Sequence, residues 1–164
     1  MNLVLIGVMG CGKTTVGRML ARRLKLVFVD MDTEIEKRHG PITEIFAGHG
    51  EDHFRDIETA MTEELSGRDR LVISTGGGIV KRPGNVTNLK KNGIVVFLDR
   101  PASVILKKLD VSRRPLLRDN PQKLHQILEE RYPLYTAQCD YRIDASGSLQ
   151  KTLSRIIPLW NKHR

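Results

Sequence analysis

The sequence predicts one α/β domain built on a parallel sheet, and three observations carry that expectation. Asn2-Leu-Val-Leu-Ile6 is a short apolar run that ends in glycine, as a buried strand does, and a helical pattern follows the glycine-rich stretch after it. Four more short apolar runs, Leu26-Val-Phe-Val29, Leu71-Val-Ile-Ser74, Ile94-Val-Val-Phe-Leu98 and Tyr141-Arg-Ile143, alternate with helical or polar segments. Aspartates or glycines stand at the carboxyl ends of several runs, where ligands bind in open α/β sheets.

Between the first strand and the first helix, Gly7-Val8-Met9-Gly10-Cys11-Gly12-Lys13-Thr14 fits G-x-x-x-x-G-K-[ST]. In such a loop the glycines let successive backbone N–H groups close around the phosphates of a nucleotide. Lys13 is expected to reach the β- and γ-phosphates and the Thr14 hydroxyl to ligate magnesium. From Thr15 onward Val16, Met19, Leu20 and Leu24 recur at helical spacing, which sets the positive end of a helix dipole at the phosphates. A glycine turn that binds nothing needs neither that strand nor that helix.

Asp30-Met31-Asp32 closes the second strand, with one carboxylate expected to face the loop's magnesium and the other a substrate hydroxyl. Capping a helix over Thr33 to Arg38 would account for one aspartate. Residues 42 to 66 read as one short and one long helix. In the long one Phe54, Ile57, Met61 and Leu65 form a core stripe. Arg55 lies beside the stripe, with a planar fork suited to a carboxylate. His49 and His53 are four apart, but Gly-Glu-Asp between them completes no H-E-x-x-H pattern and no third ligand is evident, so they read as surface residues. Thr75 and the triplet Gly76-Gly77-Gly78 follow the third strand, where bare backbone can approach a hydroxyl or an anion.

A polar helix is expected over Pro83 to Asn92, then the fourth strand and Asp99. Four apolar residues and an aspartate also describe the second magnesium-binding element of many phosphate-loop proteins, and both Asp30 and Asp99 fit. Asp30 is favoured because Asp32 accompanies it; Asp99 reads as the cap of a helix starting at Arg100-Pro101. Residues 109 to 122 are polar and proline-broken and read as a mobile lid, in which Arg113 and Arg114 would bring positive charge to a transferring phosphoryl group. Arg118 reads as solvated. A helix over Gln122 to Gln138 carries Arg131, a second candidate for holding an acidic substrate. The loop Asp144-Ala-Ser-Gly-Ser148, before a last helix running towards Trp160, is placed to pass over an adenine base.

Composition narrows the class. A chain of 164 residues suits a single domain over 1–164 with a sizeable core. Its two cysteines, Cys11 and Cys139, show no zinc-type or C-x-x-C spacing, which fits a reducing, cytoplasmic setting. No targeting signal or membrane span is evident, so no membrane partner is expected. A formal charge of +8, from 27 basic and 19 acidic residues, favours anionic partners. The arginines are dispersed and only 5% of residues are aromatic, so small anions suit the charge as well as nucleic acid does, and no nucleic-acid partner is expected.

Taken together, these residues resemble the shikimate kinase family, of the nucleoside-monophosphate-kinase-like phosphate-loop fold. The likeness spans nearly the whole chain: the phosphate loop, Phe28-x-Asp30-x-Asp32 with Ile35-Glu36, Ile45-Phe46, Gly50-Glu51, Phe54-Arg55-x-x-Glu58, Thr75-Gly-Gly-Gly78, Arg114-Pro-Leu-Leu117 and Glu130-Arg131-x-Pro133-Leu-Tyr135. The resemblance implies a three-layer, five-stranded parallel sheet in the order 2-3-1-4-5, with helices on both faces and the lid over 109–122. It implies transfer of the γ-phosphoryl group of ATP to the 3-hydroxyl of shikimate by a monomer that uses magnesium. It assigns catalysis to Lys13, Asp32 and Arg114, and nucleotide binding to Gly10, Cys11, Gly12, Lys13, Thr14, Thr15 and Arg114. Shikimate would meet Asp32, Arg55, Gly76, Gly77, Gly78 and Arg131, and magnesium Thr14 and, through water, Asp30. Two features depart from relatives: Lys107 stands where an adenine-stacking arginine is often found, and residues 145–148 lack basic and proline residues. Rival readings are a gluconate or nucleoside-monophosphate kinase, a nucleic-acid-binding NTPase, and a GTP switch. The switch needs N-K-x-D, and the Asn161-Lys162 pair is followed by His163-Arg164.

Overall fold

The computed structural model describes residues 1–108 and 120–164. Most of the lid segment, with Arg113, Arg114 and Arg118, lies outside the described residues. In chain order the elements are β1 (Asn2–Ile6), α1 (Lys13–Leu24), β2 (Val27–Asp30), α2 (Met31–His39), α3 (Ile42–Ser66), β3 (Leu71–Ser74), a 3₁₀ turn (Ile79–Lys81), α4 (Pro83–Lys90), β4 (Gly93–Asp99), α5 (Ala102–Lys108), α6 (Gln122–Gln138), β5 (Tyr141–Asp144) and α7 (Leu149–His163).

The five strands form one parallel sheet in the order β2-β3-β1-β4-β5. β1, β3 and most of β4 are buried along their length because helices cover both faces, which is why these runs are continuously apolar rather than alternating. β2 and β5 are the edges, and Val27 on β2 is largely exposed. Register matters more than length for the site: Asp30 lies level with Ser74, Leu5 with Ser74, Ile6 with Phe97, and Asp99 with Asp144. The carboxyl ends of all five strands therefore form one rim.

Several expectations are refined by this structure. α2 begins two residues earlier than expected, because Asp30 is its N-cap and accepts from the Thr33 N–H at 3.2 Å. The short and long helices expected over residues 42–66 are both present within α3, divided at Gly50, whose φ of 83° lies outside helical space. Asp99 does not cap a helix: it ends β4, three residues before α5 starts at Ala102.

At the opposite rim a single side chain knits β1 to β3. Asn2, 1% exposed, donates from Nδ2 to the carbonyls of Leu65 (3.3 Å) and Arg68 (2.7 Å), and its Oδ1 accepts from the Leu71 N–H at 3.0 Å. Asn2→Ala would remove all three bonds and leave the buried Leu71 N–H without its side-chain partner, while the Leu65 and Arg68 carbonyls still accept from the Arg68 N–H and the Asn92 amide, a loss of about 1–3 kcal/mol. A fall in melting temperature of several degrees, followed by circular dichroism, is the expected outcome, with no change of fold.

Candidate active site

The phosphate loop leaves β1 at Gly7 and enters α1 through Gly12, whose φ of 102° no residue with a Cβ adopts easily. Cys11 is fully buried, and its N–H donates to the Val8 carbonyl at 3.2 Å, so this residue shapes the loop from within. Lys13 is 8% exposed; its Nζ donates to the carbonyls of Gly7 (2.5 Å) and Val8 (3.1 Å), which centres the ammonium in the loop. Thr14 and Thr15, at the exposed first turn of α1, face a cleft of about 320 Å³ lined also by Met9, Gly10, Asp30 and Asp32.

Asp30 has two tasks, one for each oxygen. Its Oδ1 caps α2, and its Oδ2 accepts from the Thr14 hydroxyl at 2.8 Å. A hydroxyl and a carboxylate oxygen side by side at a phosphate loop are the hard donors that suit magnesium. Asp99, the alternative, is engaged elsewhere: it accepts from the Tyr132 hydroxyl at 2.8 Å and lies 3.7 Å from Arg142. The structure thus agrees with the preference for Asp30, which meets Thr14, over Asp99, which does not.

Asp32 is the second residue of α2, in its first turn, and faces the same cleft. Burial, seconded by the charge on Asp30, raises its carboxyl above the ordinary aspartate range, against the pull of Lys13 and Arg55. The glycine triplet explains why it sits so deep. A Cβ on Gly76 would stand 2.8 Å from Asp32 Oδ1 and 3.0 Å from Glu58 Oε1, and one on Gly78 would fall 2.4–2.7 Å from the guanidinium of Arg55. At Gly77 it would meet the Met9 N–H nitrogen at 3.3 Å and Arg131 Nη1 at 3.7 Å. The triplet is therefore a stretch of bare backbone against which the phosphate loop, both arginines and Asp32 all pack closely.

Arg55 is held rigidly. Its Nη1 donates to Glu58 Oε2 at 2.5 Å, while Nε and Nη2 donate to Glu51 Oε1 at 3.3 and 3.2 Å. Glu51 also accepts from Lys81 at 2.6 Å, which with Arg55 outweighs partial burial and lowers its carboxyl. Burial raises the carboxyl of Glu58, against the charge and hydrogen bond of Arg55. Arg131 differs: its Nε is buried and has no hydrogen-bond partner among the described residues. A buried cationic donor without a partner calls for an anion. One turn on, the Tyr135 hydroxyl donates to the Gly77 carbonyl at 2.5 Å and fastens α6 to the triplet; burial raises its ionisation well above the usual range.

All the expected residues within the described segments thus meet at one rim, while Arg114 falls outside them. Sequence reasoning gave no role to Glu58 or Tyr135. Glu58 lies within the apolar stripe of α3, between Phe54 and Met61, and a carboxylate on a core face implies a buried partner, which Arg55 three residues earlier supplies. Nothing local marks Tyr135, because its partner is 58 residues away.

The raised carboxyl of Asp32 has a consequence for stability. The folded protein holds this proton more tightly than the unfolded chain, so stability falls as pH rises from the ordinary aspartate range through the raised value, and the penalty is complete above it. Asp32→Asn removes the penalty. Thermal melts should show the variant more stable than the parent at neutral pH, with the difference closing as pH falls below the ordinary aspartate range.

The family model described as "Shikimate kinase" matches residues 9–159. Among curated relatives, the shikimate kinase of Clostridium botulinum (strain Alaska E43 / Type E3) is 42% identical over 156 residues, covering 94% of each chain, and that of Thermodesulfovibrio yellowstonii is 45% identical over 150 residues, covering 89% of this chain and 86% of the relative. Among solved structures, shikimate kinase from Acinetobacter baumannii in complex with shikimate is 41% identical, with a TM-score of 0.89 over 99% of this chain and 94% of that one. A gluconokinase from Sinorhizobium meliloti 1021 shares the fold alone, at 19% identity and a TM-score of 0.63. With a rim of phosphate loop, paired aspartates and glycine wall already in place, these matches make the chain a member of the shikimate kinase family.

Proposed function

We propose that this chain transfers the γ-phosphoryl group of ATP to the 3-hydroxyl of shikimate, giving shikimate 3-phosphate and ADP for aromatic amino-acid biosynthesis. Family membership supports the reaction, and one observation carries the site: Arg55, Arg131 and Asp32 converge on the glycine triplet, and Asp32 and Gly77 line one cleft with the phosphate loop. Two guanidinium groups beside a carboxylate suit an acid that also bears hydroxyls. Gluconate shares that chemistry in outline, but its kinase in the comparison is alike in fold alone.

In this reading the acid's carboxylate lies between Arg55, already oriented by Glu51 and Glu58, and Arg131, whose buried Nε gains its missing partner. The glycine triplet lets the ring approach the backbone, and Asp32 orients the hydroxyl and receives its proton. A carboxyl raised by burial and by Asp30 is better matched to taking up that proton than an ordinary aspartate. Lys13 and the N–H groups of the loop from Gly10 to Thr15 gather the phosphates, and the guanidinium of Arg114 would add positive charge for the transferring group. Magnesium would be held by Thr14 and, through water, by Asp30, and would neutralise charge between the β- and γ-phosphates. A cytoplasmic monomer acting without nucleic acid or membrane completes the proposal. No helix of the described residues is long and apolar enough to cross a membrane.

A coupled assay of ATP consumption with shikimate, gluconate and nucleoside monophosphates tests the substrate. Turnover should be specific to shikimate, and its absence there overturns the reading. In the same assay Arg131→Ala should raise the KM for shikimate about 10–100-fold, the loss of a charge-assisted contact, with the KM for ATP little changed. Lys13→Ala should instead lower kcat by at least about 100-fold.

A further inference from the structure

The acceptor residues occupy one side of the phosphate loop. Asp30 and Asp32 follow β2, the glycine triplet follows β3, and both strands lie on the same side of β1. If the γ-phosphoryl group faces Asp32, the nucleoside end of ATP must leave the loop in the other direction, over the carboxyl ends of β4 and β5. There the first residue beyond β4 is Arg100.

Its guanidinium touches both walls of that passage. Nε donates to the carbonyl of Ala145 at 2.7 Å, and the N–H of Ala145 donates back to the carbonyl of Asp99 at 2.8 Å, so fully buried Ala145 is pinned from both sides by neighbouring residues of one strand end. On the opposite side, Nη1 and Cζ lie 3.5 and 3.9 Å from the place a Cβ would take on Gly12, the residue at which the phosphate loop enters α1. The loop that Arg100 grips is itself ordered. The Asp144 carboxylate accepts from the N–H (2.9 Å) and hydroxyl (2.5 Å) of Ser146, which with Arg155 lower its pKa to about 2, and Arg155 donates to the Asp144 carbonyl at 2.7 Å. Arg100 thus spans the gap between phosphate loop and β5–α7 loop with a planar cation, half-buried and fixed at one end.

We propose that Arg100 is a positioning residue for the nucleotide. It sets the β5–α7 loop, residues 144–148, at a fixed distance from Gly12 to form the wall along which the nucleoside of ATP lies, and it holds a positive charge at the outer lip of the phosphate loop. This rests on ATP being the phosphoryl donor and on Asp32 marking the acceptor side, but not on which acid is the acceptor. A guanidinium is suited to the role because Nε bonds a carbonyl while Nη1 reaches towards Gly12; an ammonium keeps the charge but not the reach in two directions.

Titration calorimetry of ADP with magnesium in the absence of any acid, together with steady-state kinetics, tests the proposal on Arg100→Ala and Arg100→Lys. Arg100→Ala should weaken ADP and raise the KM for ATP about tenfold, the scale of one charge-assisted hydrogen bond, while the KM for shikimate at saturating ATP stays within about twofold. Arg100→Lys should recover part of the lost ADP affinity. Melting temperatures of both variants establish that the protein remains folded at the assay temperature. Unchanged ADP affinity in Arg100→Ala, an equal shift of the ATP and shikimate constants, or no recovery with lysine would overturn it. Because the calorimetry contains no acceptor, a failure of the shikimate assignment would leave the ADP comparison intact, and a failure of this proposal would leave shikimate turnover intact.

Discussion

The site depends on how a buried arginine is kept charged and still. Arg55 is 7% exposed, and an unpaired cation at that depth would cost several kcal/mol. Glu58 and Glu51 hold it from two sides, and Lys81 ties Glu51 in turn to the 3₁₀ turn after the glycine triplet. This network seats the guanidinium directly on Gly78, with its direction fixed before any ligand arrives. Such prior ordering is what lets a charged group discriminate among anions rather than attract all of them. The same crowding explains the glycines. A methyl group at position 76 would collide with Asp32 and Glu58, and one at 78 with Arg55, so the triplet is set by packing from behind as much as by the freedom of its backbone.

Parallel register supplies the second constraint. Because Asp30 lies level with Ser74, and Ser74 with Leu5, the ends of β2, β3 and β1 fall on one line, and residues far apart in sequence meet without any long loop to carry them. Asp30 shows how much is drawn from one such position: one oxygen starts α2 and thereby aims Asp32, and the other meets Thr14 at the start of α1. Helix capping and the expected metal contact are thus functions of a single side chain rather than alternatives. Tyr135 closes the arrangement by fastening α6, and with it Arg131, to Gly77.

Much of this was legible in the chain because local rules govern it. The strand, glycine loop and helix around residues 2–24 follow from apolar runs and loop chemistry, and the short and long helices on either side of Gly50 follow from the helical period. The choice between Asp30 and Asp99 was legible only through the neighbouring Asp32, since both follow four apolar residues at a strand end; the contact of Asp99 with Tyr132, 33 residues away, is what the pattern could not show. Glu58 carried a local sign, a charge inside an apolar stripe, whereas Asn2, Tyr135 and Arg100 act through partners 45 to 69 residues distant and leave no periodic trace. The legible part is thus the scaffold and its loop, and the illegible part is the tertiary bracing that aims the side chains.

A crystal structure of the chain with shikimate and magnesium ADP measures the central geometry directly. The account requires the acid's carboxylate within hydrogen-bond distance of both the Arg55 and Arg131 guanidinium groups, with its 3-hydroxyl at Asp32 on the side of the glycine wall that faces Lys13. An acid bound away from either arginine, or with the hydroxyl turned from Asp32, would contradict it.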